Sequence, residues 1–480
     1  MSARHVLIVG GGITGMAAAF YLERAAADRG VPIAITLVEA SDRLGGKLGT
    51  LQHDGMLIDI GPDSFTAHKP AAAALCRELG MEADLVSPIA TRFSLLFGNR
   101  LYPVPHELVS LAPSRPEAIL KAGFLSVAGK ARALAEGAIP ARGDVEDESL
   151  GSFMRRRFGD EFAVRFVEPL LGGVHAGDPE KMSMAAIYPS FWQMEKEFGS
   201  ISRALLSRRL SRSGTVETSP RSPFVALRGG MQSLVDRLRE RLSETQIVER
   251  ATLCGLGVEP GGRYACRLST GESLCADAVI LAVPAAVSAP LVAPLSRNAA
   301  DLLSGIQYAS TAVVSLAWRT EHLPRPLDGS GFLVPRSQQT AITGCTFTSS
   351  KWPDRCSAGT TLVRAFAGSD GPGETITDLS DDDLVMAVRR DLSTILGIGA
   401  DPTFCRVNRW PQAMPQYTVG HLKRVEAIEL ALARFPGLIL AGSSYRGAGI
   451  PDCIRQAADA AAAALRACSE PARARAGTSA

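Results

Sequence analysis

The sequence predicts an α/β, α+β multidomain chain, and three observations lead to that class. A short apolar strand, a glycine-rich turn and a helix open the chain in "HVLIVGGGITGMAAAF". The same order closes it in "GLILAGSSYRGAGIPDCIRQAADAAAAAL". Between them lie one stretch with apolar residues at helical spacing and another of alternating strands. At 480 residues the chain is too long for a single core.

The opening unit carries a specific signal. Gly10, Gly12 and Gly15, with Gly11, Ile13 and Thr14 between them, fit G-x-G-x-x-G. The first glycine permits a tight turn and the second lets main chain approach a pyrophosphate. The third lets helix pack on strand, and the helix N-terminus faces the phosphates. A second strand, "IAITLVEA", ends at Glu39 and Ala40. That carboxylate is placed to accept the hydroxyls of an adenosine ribose, as in a Rossmann-like domain.

The stretch "VEASDRLGGKLGT" adds what NAD binding does not need: Arg43 and a second glycine pair, Gly45 and Gly46. The closing turn, from Gly442 to Ala448, Gly449 and Ile450, can bring another helix N-terminus to the same ligand. A flavin adenine dinucleotide must be held on both sides of its pyrophosphate. Arg43 supplies charge near the phosphates, and the glycine pair lets main chain lie against the ribityl region. The cofactor predicted is FAD.

Composition limits the alternatives. Lys and Arg number 51 against 49 acids, so no overall charge argues for nucleic acid. The run "ADAVILAVPAAVSAPLVAPL" is interrupted by Asp277, Pro284, Pro290 and Pro294, and reads as a buried strand and a broken segment. No secretory signal opens the sequence. The nine cysteines form no C-x-x-C and the seven histidines no metal-ligand spacing, so reduced thiols, no metal and a cytoplasmic location are expected.

Along the chain, residues 106–215 read as helical, "RSGTVETSPRSP" as a loop, and "LRGGMQSLVDRLRERL" as a helix after a glycine pair. The segment from "VERATLC" to "VILAVP" alternates as three antiparallel strands, with turns at Gly261-Gly262 and Thr270-Gly271. Strands dominate residues 300–405, followed by a helix at 381–396 within that span. The last dozen residues read as a disordered tail.

These residues carry a resemblance. "GGGITG", "EASDRLGGK", "IDIGPDSF", "LRGGMQSL" and "AGSSYRGAGIPDC" resemble the flavin-containing amine oxidase superfamily. "EPLLGGVHAGDPEKMSM", "RWPQAMPQYTVGH" and "GAGIPDCIRQ" are similar to its protoporphyrinogen oxidases, and to the Gram-positive, coproporphyrin-forming type among them. The resemblance implies a discontinuous FAD domain (1–68, 220–300, 405–466), a mixed-sheet substrate domain (69–105, 301–404) and a helical insert (106–219), before a tail from 467 to 480. Relatives use that insert to sit on membranes, so peripheral membrane contact at most is expected. Implied FAD contacts are Gly10 to Gly15, Glu39, Ala40, Arg43, Gly46 and Lys47. They continue with Gly61, Pro62, Asp63 and Ser64 of the "GPDS" loop and the backbone of Leu253 at the adenine. Trp410, Gly442, Ala448, Gly449 and Ile450 complete them. Cys453 does not sit in the superfamily's covalent-flavin motif, so the FAD is expected to be non-covalent.

Lys69 alone reads as a solvated first-turn lysine; the resemblance places a basic residue there, facing a substrate carboxylate. Arg155 to Arg157 read as a solvated helix face, with a propionate or membrane role as the alternative. His421 reads as a structural, hydrogen-bonded histidine, and Tyr417 and Trp192 as core.

The activity implied is oxidation of coproporphyrinogen III to coproporphyrin III by dioxygen, with hydrogen peroxide released, in heme biosynthesis. No catalytic acid–base residue is nominated, and a ferrochelatase is a candidate recipient of the product. Alternatives are protoporphyrinogen IX as substrate, an amine oxidase or carotenoid desaturase, and a flavin-free binding protein on the same fold.

Overall fold

The computed structural model describes residues 4–108, 111–113, 115–142, 146–211, 222–368 and 378–469. Most of the predicted loop "RSGTVETSPRSP" and of the tail lies outside them. The final helix extends to Ser469, three residues into the span expected as tail.

Five parallel strands form the sheet beneath the glycine turns, in the order Thr245–Val248, Ile33–Val38, Arg4–Val9, Ala278–Leu281, Leu438–Leu440. Its central strand is apolar on both faces because both are covered. Val6 and Ile8 enter a layer with the first helix (Ile13–Arg29) and the C-terminal helix (Ile450–Ser469). Leu7 and Val9 enter the opposite layer. There they meet the three-stranded sheet of Leu253–Val258, Tyr264–Leu268 and Ser273–Ala276. Ala17, Ala18 and Ala19 of the first helix share the first layer with Ala457, Ala460, Ala461 and Ala464 of the last. Small side chains let the two helices, and so their N-termini, lie close together.

A second, seven-stranded sheet runs Phe404–Pro415, Tyr308–Arg319, Thr360–Ala367, Ile342–Thr346, Gly331–Leu333, Phe93–Phe97, Arg100–Pro103. The strand Phe404–Pro415 pairs with Tyr308–Arg319. A boundary at 405 would therefore cut this sheet, and the strand belongs with it and not with the dinucleotide domain. The helix Pro70–Glu78 departs from expectation the other way: its Leu75 and Cys76 bury in the dinucleotide-domain core.

The helical insert packs around Phe153, Phe158, Phe162 and Phe166. Serine caps start three of its helices: Ser126, Ser149 and Ser183 accept hydrogen bonds from the amides of Gly129, Ser152 and Ala186. A π-helical turn, Ala163–Val167, leads into the helix Glu168–His175. Among the described residues no helix is long and apolar enough to cross a membrane.

Candidate flavin site

The two glycine stretches near the N-terminus build one structure. The Gly45 amide donates to the Gly11 carbonyl at 2.8 Å, and Gly12 bridges Gly45. A Cβ on Gly46 would lie 3.1 Å from the Gly12 Cα, so the second pair is glycine first because two main chains meet there. A Cβ on Gly15 would lie 1.9 Å from the Gly10 carbonyl oxygen. Gly12 differs: the nearest atom to a Cβ there is the Gly46 Cα, at 4.0 Å. That open space fronts a helix with no side-chain cap and no acid in its first turn. Uncapped N–H groups beside free space fit a phosphate.

Glu39 fixes this turn as well as facing it. Its carboxylate accepts from the Gly11 amide at 2.7 Å and from the Ser41 amide and hydroxyl at 2.8 and 2.7 Å. Arg43 has a role in its own loop. Its guanidinium donates to the carbonyls of Leu44, Gly46 and Leu48, so it staples its own loop. Its charge stays near the cradle, with those donors engaged by the loop's own carbonyls.

The "GPDS" loop lies against the same loop. A Cβ on Gly61 would lie 2.0 Å from the Lys47 carbonyl oxygen and 3.6 Å from the Trp410 ring. Trp410 Nε1 donates to the Ile60 carbonyl at 2.9 Å. Lys47 Nζ donates to the Ala413 carbonyl, and burial lowers its pKa. From the other end of the chain, Gly442 (φ 122°) packs its Cα face on Thr14, with 3.5 Å from a Cβ there to Thr14 Oγ1. The Gly449 carbonyl accepts from the Cys453 amide at 2.9 Å, starting the C-terminal helix. Two helix N-termini, the GPDS loop and Trp410 thus border one region.

Residues 13–465 match the family of flavin containing amine oxidoreductases. The chain belongs to that family. The Bacillus subtilis (strain 168) coproporphyrinogen III oxidase is 38% identical, over 96% of this chain and 98% of its own. The chloroplastic protoporphyrinogen oxidase 1 of Spinacia oleracea is 33% identical, over 95% of this chain and 83% of its own. A crystal structure assigned to the protoporphyrinogen oxidases, from Exiguobacterium sp. 255-15, superimposes with a TM-score of 0.85 at 33% identity. It covers 97% of this chain and all of that one.

As a flavin containing amine oxidoreductase the chain is an oxidoreductase with a flavin cofactor, and the motifs that gave the resemblance now touch. The Ser183 amide of "KMSM" donates to the Tyr417 carbonyl of "PQYTVGH" at 2.7 Å. Gln416 Nε2 donates to the His175 carbonyl at 3.1 Å, pinning the C-terminal end of the π-bulged helix. The Tyr417 hydroxyl donates to the Ser443 carbonyl at 2.7 Å and accepts from the Gly447 amide at 2.9 Å. His421 stacks on the Tyr417 ring at 4.0 Å, with Nε2 2.8 Å from the Tyr445 carbonyl. Burial brings its pKa down to about 4, so it is neutral and its Nε2–H donates there. Tyr417 and His421 are therefore structural, and they tie the insert to the closing turn.

Leu253 begins its strand with its side chain buried under the parallel sheet. Lys69 lies at the N-cap of Pro70–Glu78, as its sequence position suggests, but is not a free solvated cation. Its Nζ contacts Asp452 Oδ2 at 2.6 Å. Burial and the Lys69 charge bring the pKa of nearby His175 down to about 4. Cys453 is buried, and burial pushes its thiol up to about 11.

Sequence reading missed the groups beneath the GPDS loop. Asp63 accepts from Ser64 Oγ at 2.7 Å and Trp352 Nε1 at 3.0 Å, with Lys351 and Arg364 beside it at 3.2 and 3.4 Å. Burial would raise its pKa, but Lys351 and Arg364 outweigh that and hold it well below the usual carboxylate range. Arg364 also donates to the Gly61 carbonyl. The only available signal was an arginine inside the apolar strand "TTLVRAFA", which demands a buried partner.

Proposed function

We propose that the chain is an FAD-dependent oxidase that converts coproporphyrinogen III to coproporphyrin III in heme biosynthesis. Dioxygen is the acceptor and hydrogen peroxide the by-product. The observation that carries this reading is the full-length similarity to the Bacillus subtilis coproporphyrinogen III oxidase. Loss of six hydrogens from the porphyrinogen balances reduction of three dioxygen molecules to peroxide.

The geometry supports the reading. FAD bound here would place its pyrophosphate in the space before Gly12, its ribose at Glu39, its adenine at the Leu253 backbone, and its ring system between the Gly61–Ser64 loop, Trp410 and Ala448–Ile450. When bound, the flavin supplies two-electron acceptance from carbon. The protein's part is to orient and to exclude water, because each oxidation extends the substrate's own conjugation. Trp410 and Arg364 hold the loop at Ile60 and Gly61, while Tyr417 holds the closing turn. Lys69 is the proposed contact for a substrate carboxylate. We place the protein in the cytoplasm with at most peripheral membrane contact, and a ferrochelatase as recipient of the product.

The test is a comparison of the two porphyrinogens under matched conditions, following oxygen uptake and porphyrin fluorescence. Coproporphyrinogen III should give the higher kcat/KM. A preference for protoporphyrinogen IX would transfer the chain to the activity named for its spinach relative. Turnover of neither would overturn both.

A further inference from the structure

Asp452 is a side chain to which the flavin reading gives no role. It sits in the first turn of the C-terminal helix, immediately after the closing turn "GAGIP". A Cβ on Gly447 (φ 110°) would lie 2.5 Å from the Asp452 Cγ, and one on Gly449 would lie 3.1 Å from its Oδ2. Both glycines thus leave room for the carboxylate, and the loop fixes where that carboxylate lies. Gln456 Nε2 closes the niche by donating to the Gly447 and Asp452 carbonyls, each at 3.2 Å. The carboxylate's position at a helix N-terminus also favours its charge.

Its partner is the opposite kind of group. Lysine is a point charge on a flexible stem, and it loses rotamer freedom when held. Lys69 is 46% exposed whereas Asp452 is 14% exposed. The fixed member of the pair is therefore the aspartate, and the mobile, solvent-reachable member is the lysine. The Lys69 ammonium joins two segments, the loop after "GPDS" and the head of the C-terminal helix, and its charge is felt at His175 of the insert. The Lys69 charge lowers the pKa of both His68 and His175, after burial in each case, while Asp452 partly offsets it at His68.

We propose that Asp452 is a positioning residue for Lys69. It stations the ammonium at the edge of the flavin site, with two N–H donors left over for an incoming substrate carboxylate. This rests on the reading of the substrate as a porphyrinogen that carries propionates. Asp452 makes no contact with substrate in this account; it acts only through Lys69.

The test uses the flavin-loaded protein and four variants: Lys69→Ala, Asp452→Ala, Asp452→Asn and the double Lys69→Ala/Asp452→Ala. Each is assayed for KM and kcat with coproporphyrinogen III and for Kd of coproporphyrin III by fluorescence titration. Flavin absorbance and Tm serve as folding controls. Asp452→Ala should raise KM and Kd about two- to fivefold with kcat unchanged, the range expected of a half-exposed ion pair. Asp452→Asn keeps an oxygen at the same place and should recover most of that loss. The double variant should be no worse than Lys69→Ala, because removing the holder of an absent group has no further effect.

Additive losses, a fall in kcat alone, or a KM unmoved by Asp452→Ala while Lys69→Ala raises it would each overturn the positioning role. Loss of flavin or of folding in both Asp452 variants would also overturn it, by assigning Asp452 to the closing turn itself. Failure of the underlying reading looks different: the unaltered protein would then neither oxidise coproporphyrinogen III nor bind coproporphyrin III.

Discussion

The glycine cradle and the arginine run of the helical insert are both short stretches dominated by one residue type, and they are used in opposite ways. In the cradle, Gly10 to Gly15 meet Gly45 and Gly46 through main chain, and the partners lie within about forty residues. In the run Arg155-Arg156-Arg157, three identical side chains have 40%, 20% and 0% exposure and reach five acids, Glu136, Glu148, Asp160, Glu180 and Glu195. Spacing alone defines a backbone device. It does not define a buried ion network, whose meaning depends on where distant acids fold.

The expectation of a solvated face failed most completely at Arg157. It is fully buried; Nε donates to Glu136 Oε1 at 2.7 Å, and NH1 lies 3.3 Å from Glu195 Oε1. The carbonyls of Ile139 and Gly199 take further donors. Arg157→Ala should have the largest effect here, because it leaves Glu136 and Glu195 buried without that partner. A loss of about 3–5 kcal/mol in urea unfolding is expected. Acid should act on the same network. Burial would raise the Glu136 pKa, but hydrogen bonds from Ser200, Ser202 and Arg157 outweigh it and lower it. A lowered folded pKa gives stability that is full above the ordinary carboxylate range and lost as pH falls through the lowered value. Thermal melts should therefore hold until below about pH 4, and Arg157→Ala should begin losing stability at higher pH.

The cradle makes a complementary prediction at Gly15. Backbone cannot move aside as a side chain can, and the Gly10 carbonyl occupies the place a Cβ needs. Gly15→Ala should cost about 1–3 kcal/mol or more, read by Tm and by soluble yield. Gly12→Val separates ligand from fold. The space ahead of it is free of protein, so stability should change by less than about 1 kcal/mol while retained FAD falls to nothing. A yellow Gly12→Val protein with full flavin content would remove the pyrophosphate from that space.

What was legible follows the same division. Strands, glycine turns and the three-stranded piece at 253–276 could be read because period and turn chemistry are local. Trp410 could be placed only through resemblance, and the structure supplies the cause: its indole meets Ile60 and Gly61 across 350 positions of chain. Lys351 and Trp352 carried no local signal, and Arg364 signalled only that some partner must be buried, since their common partner, Asp63, lies about three hundred residues away. Lys69 was visible as a position but not as half of a pair, because Asp452 comes from the last helix. The loop role of Arg43 was not visible in the sequence: a cation near a phosphate site is also the nearest donor for the carbonyls of a tight loop.

The smallest effect should come from Arg155, the one member of the run for which the solvated reading comes close. It contacts Asp160 at 2.7 Å and Glu180 at 2.8 Å, but those acids are 75% and 50% exposed. The hydrogen bonds it donates to Glu180 and Asp160 raise its pKa, yet solvent screens the pair and water replaces either partner cheaply. Arg155→Ala should cost less than about 1 kcal/mol, and the difference from the unaltered protein should shrink further in about 1 M salt. Arg156, with Glu148 and Glu195 nearly buried beside it, should fall between its neighbours. Urea unfolding of the three single alanine variants at low and high salt checks the order. If Arg155→Ala proved as costly as Arg157→Ala, exposure would not be what grades the run, and the contrast with the backbone-built cradle would have to rest on something other than burial.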